Sequence, residues 1–252
     1  CIIVIFAAAV FAVFDQAKHT KVIDGMLFSG ISVVSIVSAV FISIFAGTEY
    51  SDGTMRNKLY MGHSRISVYG ASLVTCAAAA VIMHVVLIAA VVFFGITIIG
   101  KVTMTASEIL LLSLLSILTV TAYASVYILL GMLITSKAAG VAAAILLSFG
   151  MLIGADTLYR CINTSEYYPK PYIDEESETG YSTEFVPNPR YPSETKRKVM
   201  QTTLNILPSG QALQIANGEL PENAAELPLY ALADIAVTTA AGILLFRRKD
   251  LK

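Results

Sequence analysis

The chain has 252 residues, of which 56% are apolar and 14% charged, and its formal net charge is −1. So few charges among so many apolar residues exclude an ordinary soluble domain. The apolar residues fall in runs and not in alternation, and a run of about 20 is what a bilayer core of roughly 30 Å requires. An all-α integral membrane protein is expected, one domain over residues 1–252 with six transmembrane helices. The lipid bilayer is then its first partner, and no nucleic-acid contact is expected. The balanced net charge says little more, because the charges are sorted along the chain.

Residues 1–14 read as the first span, truncated at its start, since 14 residues of helix cover only about 21 Å. Ile2 to Phe14 continues as membrane-type sequence, without the polar tether of a lipoprotein anchored at Cys1. A polar connection, DQAKHTKVIDG, leads to the second span at 26–46. Its serines, Ser29, Ser32, Ser35 and Ser38, can bond back to the helix or pack against neighbours.

The stretch 47–67 is the one long polar interruption in the first half, and it holds Glu49, Asp52, Arg56, Lys58 and Arg65. The local chemistry predicts a short helix. Thr54 is a good N-cap. Met55 and Leu59 share one face at i and i+4, with Arg56 and Lys58 on its edges. Gly62 suits a left-handed C′ position, and Ser64 can cap the next helix. A solvated basic loop is the other reading of the same residues.

The third span, 68–99, is longer than a bilayer needs and must tilt or project. His84 lies in its middle, either as a contact for a proton or substrate or as a neutral imidazole bonded to a neighbouring helix. The fourth span is 108–135. A tight turn at Ser136 and Lys137 leads to the fifth, 138–158, whose small residues permit close helix contact. Residues 159–226 form a long polar loop. Within it, 199–217 is expected to make one or two amphipathic helices, broken at Pro208 to Gly210. Leu204, Ile206, Leu207, Leu213 and Ile215 would lie on the membrane surface. The sixth span, 227–246, carries Asp234 and ends in Arg247, Arg248 and Lys249.

Orientation follows from the basic residues. With 47–67 in the cytoplasm, Lys137 and the RRKDLK tail are also inside, and 159–226 becomes an outer loop between spans five and six.

Few chemical motifs survive inspection. GITIIGKV at 95–102 nearly matches a phosphate-binding loop, but Val102 replaces the magnesium-binding hydroxyl and no strand precedes it. Asp156 and Asp234 are the only candidates for a paired-carboxylate site, and fuller protease motifs are absent. Cys1, Cys76 and Cys161 have no spacing suited to a metal. The chain reads as a non-enzyme, without a cofactor or metal of its own. His84 and Asp234 remain as residues of a possible translocation path.

Residues 45–74, FAGTEYSDGTMRNKLYMGHSRISVYGASLV, resemble the segment between the second and third helices of bacterial type-2 ATP-binding cassette exporter permeases. The matching features are Glu49 at the end of the second helix, Gly53–Thr54, the basic pair Arg56 and Lys58, and Ser64–Arg65 opening the third helix. The ending GILLFRRKDLK is similar to the close of such permeases, and six spans with a long loop before the last agree with their fold. The chain departs from the pattern at its start, where residues 1–14 do not include the amphipathic helix expected before the first span. The nearest subgroup is peptide-antibiotic export and immunity.

The resemblance implies a multi-pass permease of the bacterial cytoplasmic membrane, its C-terminus inside. It implies a separate ATP-hydrolysing subunit that holds ATP and Mg, and a second permease, identical or different. Thr54 to Tyr60 would be a coupling helix, with Met55 and Leu59 as its apolar anchor. Arg56 and Lys58 would select an acidic rim, while Glu49 would pair with Arg56 or Arg65. A motor-independent transporter or channel, and a membrane sensor or scaffold, remain as alternatives.

Overall fold

A computed structural model describes residues 24–98, 101–173, 181–217, 220–221 and 223–249. The expected first span, 1–14, lies outside them. The chain is predominantly helical. In order come α1 (Asp24–Leu27), α2 (Ile31–Ser51), α3 (Thr54–Tyr60), α4 (Arg65–Ile98), α5 (Ala106–Leu133) and α6 (Lys137–Ile162). A hairpin of β1 (Tyr167–Ile173) and β2 (Tyr181–Pro187) follows, then α7 (Glu194–Ile206), α8 (Pro208–Ala216) and α9 (Leu227–Arg248). Among the described residues, five helical segments are long and apolar enough to cross a membrane: α1 with α2, α4, α5, α6 and α9.

The local chemistry explains most boundaries. Thr105 and Glu108 form a reciprocal capping box that opens α5. The Ser136 hydroxyl accepts from the Ala139 N–H at 3.4 Å and opens α6. Pro208 stands in the first turn of α8 and Pro228 in that of α9, where a missing N–H costs nothing. α4 runs 34 residues, about 51 Å at 1.5 Å per residue, and so exceeds a bilayer core as expected.

α5 is the central element and packs against α2, α4 and α9. Tyr123, Tyr127, Ile128 and Met132 on it are fully buried. Close approach rests on small residues. A Cβ added at Gly47 of α2 would lie 2.8 Å from the Lys137 Cα of α6, and one at Gly131 of α5 would lie 2.9 Å from the Ala46 Cβ. Of the span-two serines, Ser29 donates to the Met26 carbonyl and Ser35 to that of Ser32, while the buried Ser38 hydroxyl has no partner among the described residues.

Two expectations need correction. The fold is not all-α, because β1 and β2 pair antiparallel, with Tyr167 opposite Pro187. Nor does the second helix of 159–226 lie on a surface, although most of α7 is exposed. α8 inserts against α5 and α6, with Ser209, Gln211, Ala212 and Ile215 all buried. The reason is polar satisfaction. Buried amides and hydroxyls need partners, and the bundle supplies them: the Ser209 hydroxyl donates to the Met151 carbonyl at 2.7 Å. Leu204 is buried as well, and only Ile206 of the five apolar residues is exposed.

Candidate functional site

Five helix termini meet at one end of the bundle, the C-terminal ends of α2, α5 and α9 and the N-terminal ends of α4 and α6, with α3 beside them. α3 is a helix, not a loop. Its start differs from expectation in one detail. Gly53 is the N-cap, at φ +69, and Thr54 is the first helical residue with no capping bond from its side chain. The left-handed turn needs glycine's freedom, which takes precedence over the threonine hydroxyl. Its end is as read. Gly62 has φ +91, the Gly62 N–H bonds to the Leu59 carbonyl and the His63 N–H to that of Lys58. This is a Schellman closure. Ser64 then caps α4, accepting from the Ser67 N–H at 3.1 Å.

The apolar stripe faces inward. Met55 is 1% exposed within the chain's own core, and Leu59 packs partly buried against it. A seven-residue helix must bury its own stripe to stay folded, so Met55 is not available as an outward anchor. The outward apolar residues are Tyr60, 81% exposed, and Met61, 73% exposed. Arg56, Asn57 and His63 are exposed beside them. Sequence reasoning missed Tyr60 and Met61 because they stand outside the i, i+4 stripe.

Charge ties α3 to the spans. Lys58 pairs with Glu49 at the end of α2, and the Ser72 hydroxyl of α4 donates to the same carboxylate at 3.4 Å. The expected pairing of Glu49 with Arg56 or Arg65 does not form. Arg65 instead donates to the Phe246 carbonyl at 2.8 Å and to that of Lys249, and its guanidinium lies 5.8 Å from the Phe246 ring centroid. The physical reason is the free carbonyl row at the end of α9, which carries partial negative charge.

Lys249 does the same for α5. Its ammonium donates to the Met132 and Leu133 carbonyls at 2.8 and 3.0 Å and sits 4.2 Å above the Tyr50 ring. Burial lowers its pKa from the ordinary lysine value. The Tyr50 hydroxyl, from α2, also donates to Met132, at 2.6 Å. Tyr50, Phe246 and Lys249 thus join the site, and the RRK run was the only sequence signal for any of them.

The structure therefore brings Glu49, Gly53, Thr54, Met55, Arg56, Lys58, Leu59, Gly62 and Arg65 to one end. His84 and Asp234 are elsewhere. His84 is 19 residues along α4 from Arg65, about 28 Å. It is fully buried, with Nε2 2.8 Å from the Ser116 hydroxyl and no partner at Nδ1 among the described residues. Asp234 accepts from the Gln211 amide of α8 at 3.1 Å. Gln211 also meets Thr119, one turn from Ser116 on α5. His84 and Asp234 thus have separate partners. Asp156 pairs with Arg160 at 2.7 Å and not with Asp234. No cluster suited to a metal ion occurs among the described residues.

No family model matches the chain, and no curated protein does.

Proposed function

We propose that the chain is the membrane-spanning permease subunit of an ATP-binding cassette exporter, driven by a separate ATP-hydrolysing subunit. The observation that carries this reading is α3: a short helix with Tyr60 and Met61 outward, paired through Lys58 with Glu49 of α2, at a bundle end where Arg65 joins α4 to α9 and Lys249 joins the α9 tail to α5. Such a helix can pass a push to α2 through Glu49, whose carboxylate also accepts from Ser72 of α4. Arg56, Lys58, Arg65, Lys137, Arg247, Arg248 and Lys249 gather at its end, which under the positive-inside rule is the cytoplasmic face. Tyr60 and Met61 would enter an apolar groove on the motor subunit, with Arg56 meeting an acidic rim. ATP and Mg belong to the motor, and a second permease, identical or different, completes the path. The spans suit the bacterial cytoplasmic membrane, and a peptide-antibiotic substrate follows from the resemblance alone.

The test is purification of the tagged chain in mild detergent from its native cells. A magnesium-dependent ATPase should co-purify, and Tyr60→Asp with Met61→Asp should remove it while leaving the chain folded. A charge carried into an apolar groove without a partner costs several kcal/mol. Wild-type amounts of ATPase on the double variant would overturn the proposed anchor, and no ATPase on either would favour a motor-independent transporter.

A further inference from the structure

α6 begins at Lys137 beside Gly47 and runs 26 residues, about 39 Å. Its last turn therefore lies at the end of the bundle opposite α3. The β1–β2 hairpin begins at Tyr167, shortly after α6 ends at Ile162, so its base belongs to that end.

The register of the hairpin fixes which backbone groups are spent inside it. The Asn188 N–H donates to the Glu166 carbonyl at 2.7 Å, so residues 166 and 188 form a hydrogen-bonded pair. Bonded and non-bonded pairs alternate along an antiparallel ladder. In the same register the bonded pairs are Tyr168 with Val186, Lys170 with Glu184 and Tyr172 with Ser182. Tyr167, Pro169, Pro171 and Ile173 of β1 therefore turn their backbone groups to the outer edge, as do Tyr181, Thr183, Phe185 and Pro187 of β2.

The two edges differ. On β1, Pro169 and Pro171 remove the two central donors, which closes a sheet edge to a further strand. On β2, Tyr181, Thr183 and Phe185 present three successive outward N–H groups, and those of Thr183 and Phe185 have no partner among the described residues. Thr183 and Glu184 are exposed and Phe185 is 68% exposed, so this edge is open. A two-stranded hairpin is marginal in water, and further strands stabilise it.

β2 is complementary to itself. With Thr183 opposite Thr183 of a second copy, residue 181 of each copy faces residue 185 of the other, and the three donors of each copy all meet carbonyls. Glu184 then faces residue 182. Centring the pairing on Glu184 instead would set two glutamates face to face and oppose residue 181 to Pro187, which has no N–H. Centring it on Phe185 opposes Thr183 to Pro187, and centring it on residue 182 carries Phe185 past the end of β2. All copies enter a membrane in one orientation, so two hairpins stand on the same face. We infer that the open edge of β2 pairs antiparallel with β2 of a second copy of this chain, joining two hairpins into one four-stranded sheet. The inference rests on the proposed function, in which a second permease completes the path, and it makes that permease identical.

Single cysteines in the full chain, with Cys1 and Cys161 changed to Ser and Cys76 to Ala, would be oxidised with copper phenanthroline in membranes of the native cells. Thr183→Cys should give a disulfide-linked dimer as the main product, since a bonded antiparallel pair holds its Cα atoms about 5.5 Å apart, within disulfide reach. Lys170→Cys on β1 should give roughly tenfold less, because three strand spacings, at least about 14 Å, separate it from its copy. Phe185→Pro loses no bond inside the hairpin but removes two of the six between copies, so adding it to Thr183→Cys should cut the dimer several-fold. Tyr167→Pro, on the closed edge, should leave the dimer unchanged. A Thr183→Cys chain that stays monomeric or links only to another protein, equal linking at 170, or indifference to Phe185→Pro would each overturn the pairing, as would equal loss with both prolines. Co-purification of the ATPase from the same membranes separates the two readings. A dimer without ATPase would support the pairing and overturn the motor, and ATPase without a dimer would overturn the pairing and leave the motor standing.

Discussion

The two ends of the helix bundle are held together by different chemistry. At the α3 end, long charged side chains reach across to helix C-termini: Arg65 to α9, Lys249 to α5, and Lys58 to Glu49 on α2. At the opposite end, neutral amides from α7, α8 and the α9 approach bond to one another around Asn205. The first arrangement couples elements, because each charged group joins two that would otherwise move separately. The second fixes the orientation of its amides, because Gln214 donates to the Gly210 carbonyl, which can only accept. A charge at the α3 end keeps some solvent contact, whereas the amide hub does not: Asn205 is 4% exposed and Gln211 fully buried. Unpaired groups would cost far more at the hub.

The largest effects should come from the packing on which each arrangement rests. Met55→Ala removes the buried side chain under α3 and should cost about 3 kcal/mol. Gly210→Ala would place a Cβ 2.0 Å from the Leu204 carbonyl oxygen and should cost a similar amount, about 3 kcal/mol, since that backbone must move. Denaturant unfolding in detergent reads both. If the two ends are separate, Met55→Ala should reduce co-purification of the ATPase and Gly210→Ala should spare it. An equal loss in both variants would break the comparison.

Next is Arg65→Ala, which strips the end of α9 of its charged donor. The loss should be about 2 kcal/mol, as for hydrogen bonds to charged groups. Arg65→Lys should recover less than half, because a point charge cannot serve two carbonyls with a rigid fork. Full recovery would mean that charge alone matters at this end.

A smaller effect is expected for Glu49→Gln. Lys58 keeps a third of its side-chain surface in water, so the pair should contribute about 1 kcal/mol or less. The difference between wild type and variant should shrink further in 1 M salt, where screening acts over about 3 Å. A cost that is large and independent of salt would show that the carboxylate acts mainly through Ser72.

The smallest effect concerns Lys249. Its pKa is lowered by burial, so the folded chain releases this proton more readily than the unfolded one. Stability should therefore rise slightly as pH climbs through the window between the lowered folded value and the ordinary lysine value. The neutral amine keeps two N–H groups for the Met132 and Leu133 carbonyls. Lys249→Met should flatten that rise in a pH series of unfolding midpoints. An unchanged slope would place the titration elsewhere.

Much of the bundle was legible in the sequence, because long apolar runs, capping residues and glycines act locally. The expected spans over 26–46, 68–99, 108–135, 138–158 and 227–246 correspond to the five membrane-competent helices, each differing by a few residues at its ends. The Ser64 cap and the Gly62 closure were read from neighbours three residues away. The candidate site was legible only in outline. A helix at Thr54 to Tyr60 follows from caps and spacing, but which of its faces is outward does not. A stripe at i and i+4 says only that two side chains share a side. Met55 turned inward because the bundle offered it a core, and Tyr60 and Met61 were left outside.

Residues 159–226 show the same division more sharply. Their polarity and prolines marked them as unlike the spans, and the helix break near Pro208 was visible from its ring chemistry. That α8 would enter the bundle was not. Its amides and hydroxyls read as surface residues until Met151, Thr119 and Asp234 supply partners from distant parts of the chain. Composition and local order determined that this chain is helical, membrane-competent and interrupted by a capped basic helix, since those properties depend on residues within a turn or two. The tertiary structure alone decided the partners of Arg65, Lys249 and Gln211. Phe246 for Arg65, Met132 for Lys249 and Asp234 for Gln211 are each at least 23 residues away, and only packing brings such groups within 3.1 Å.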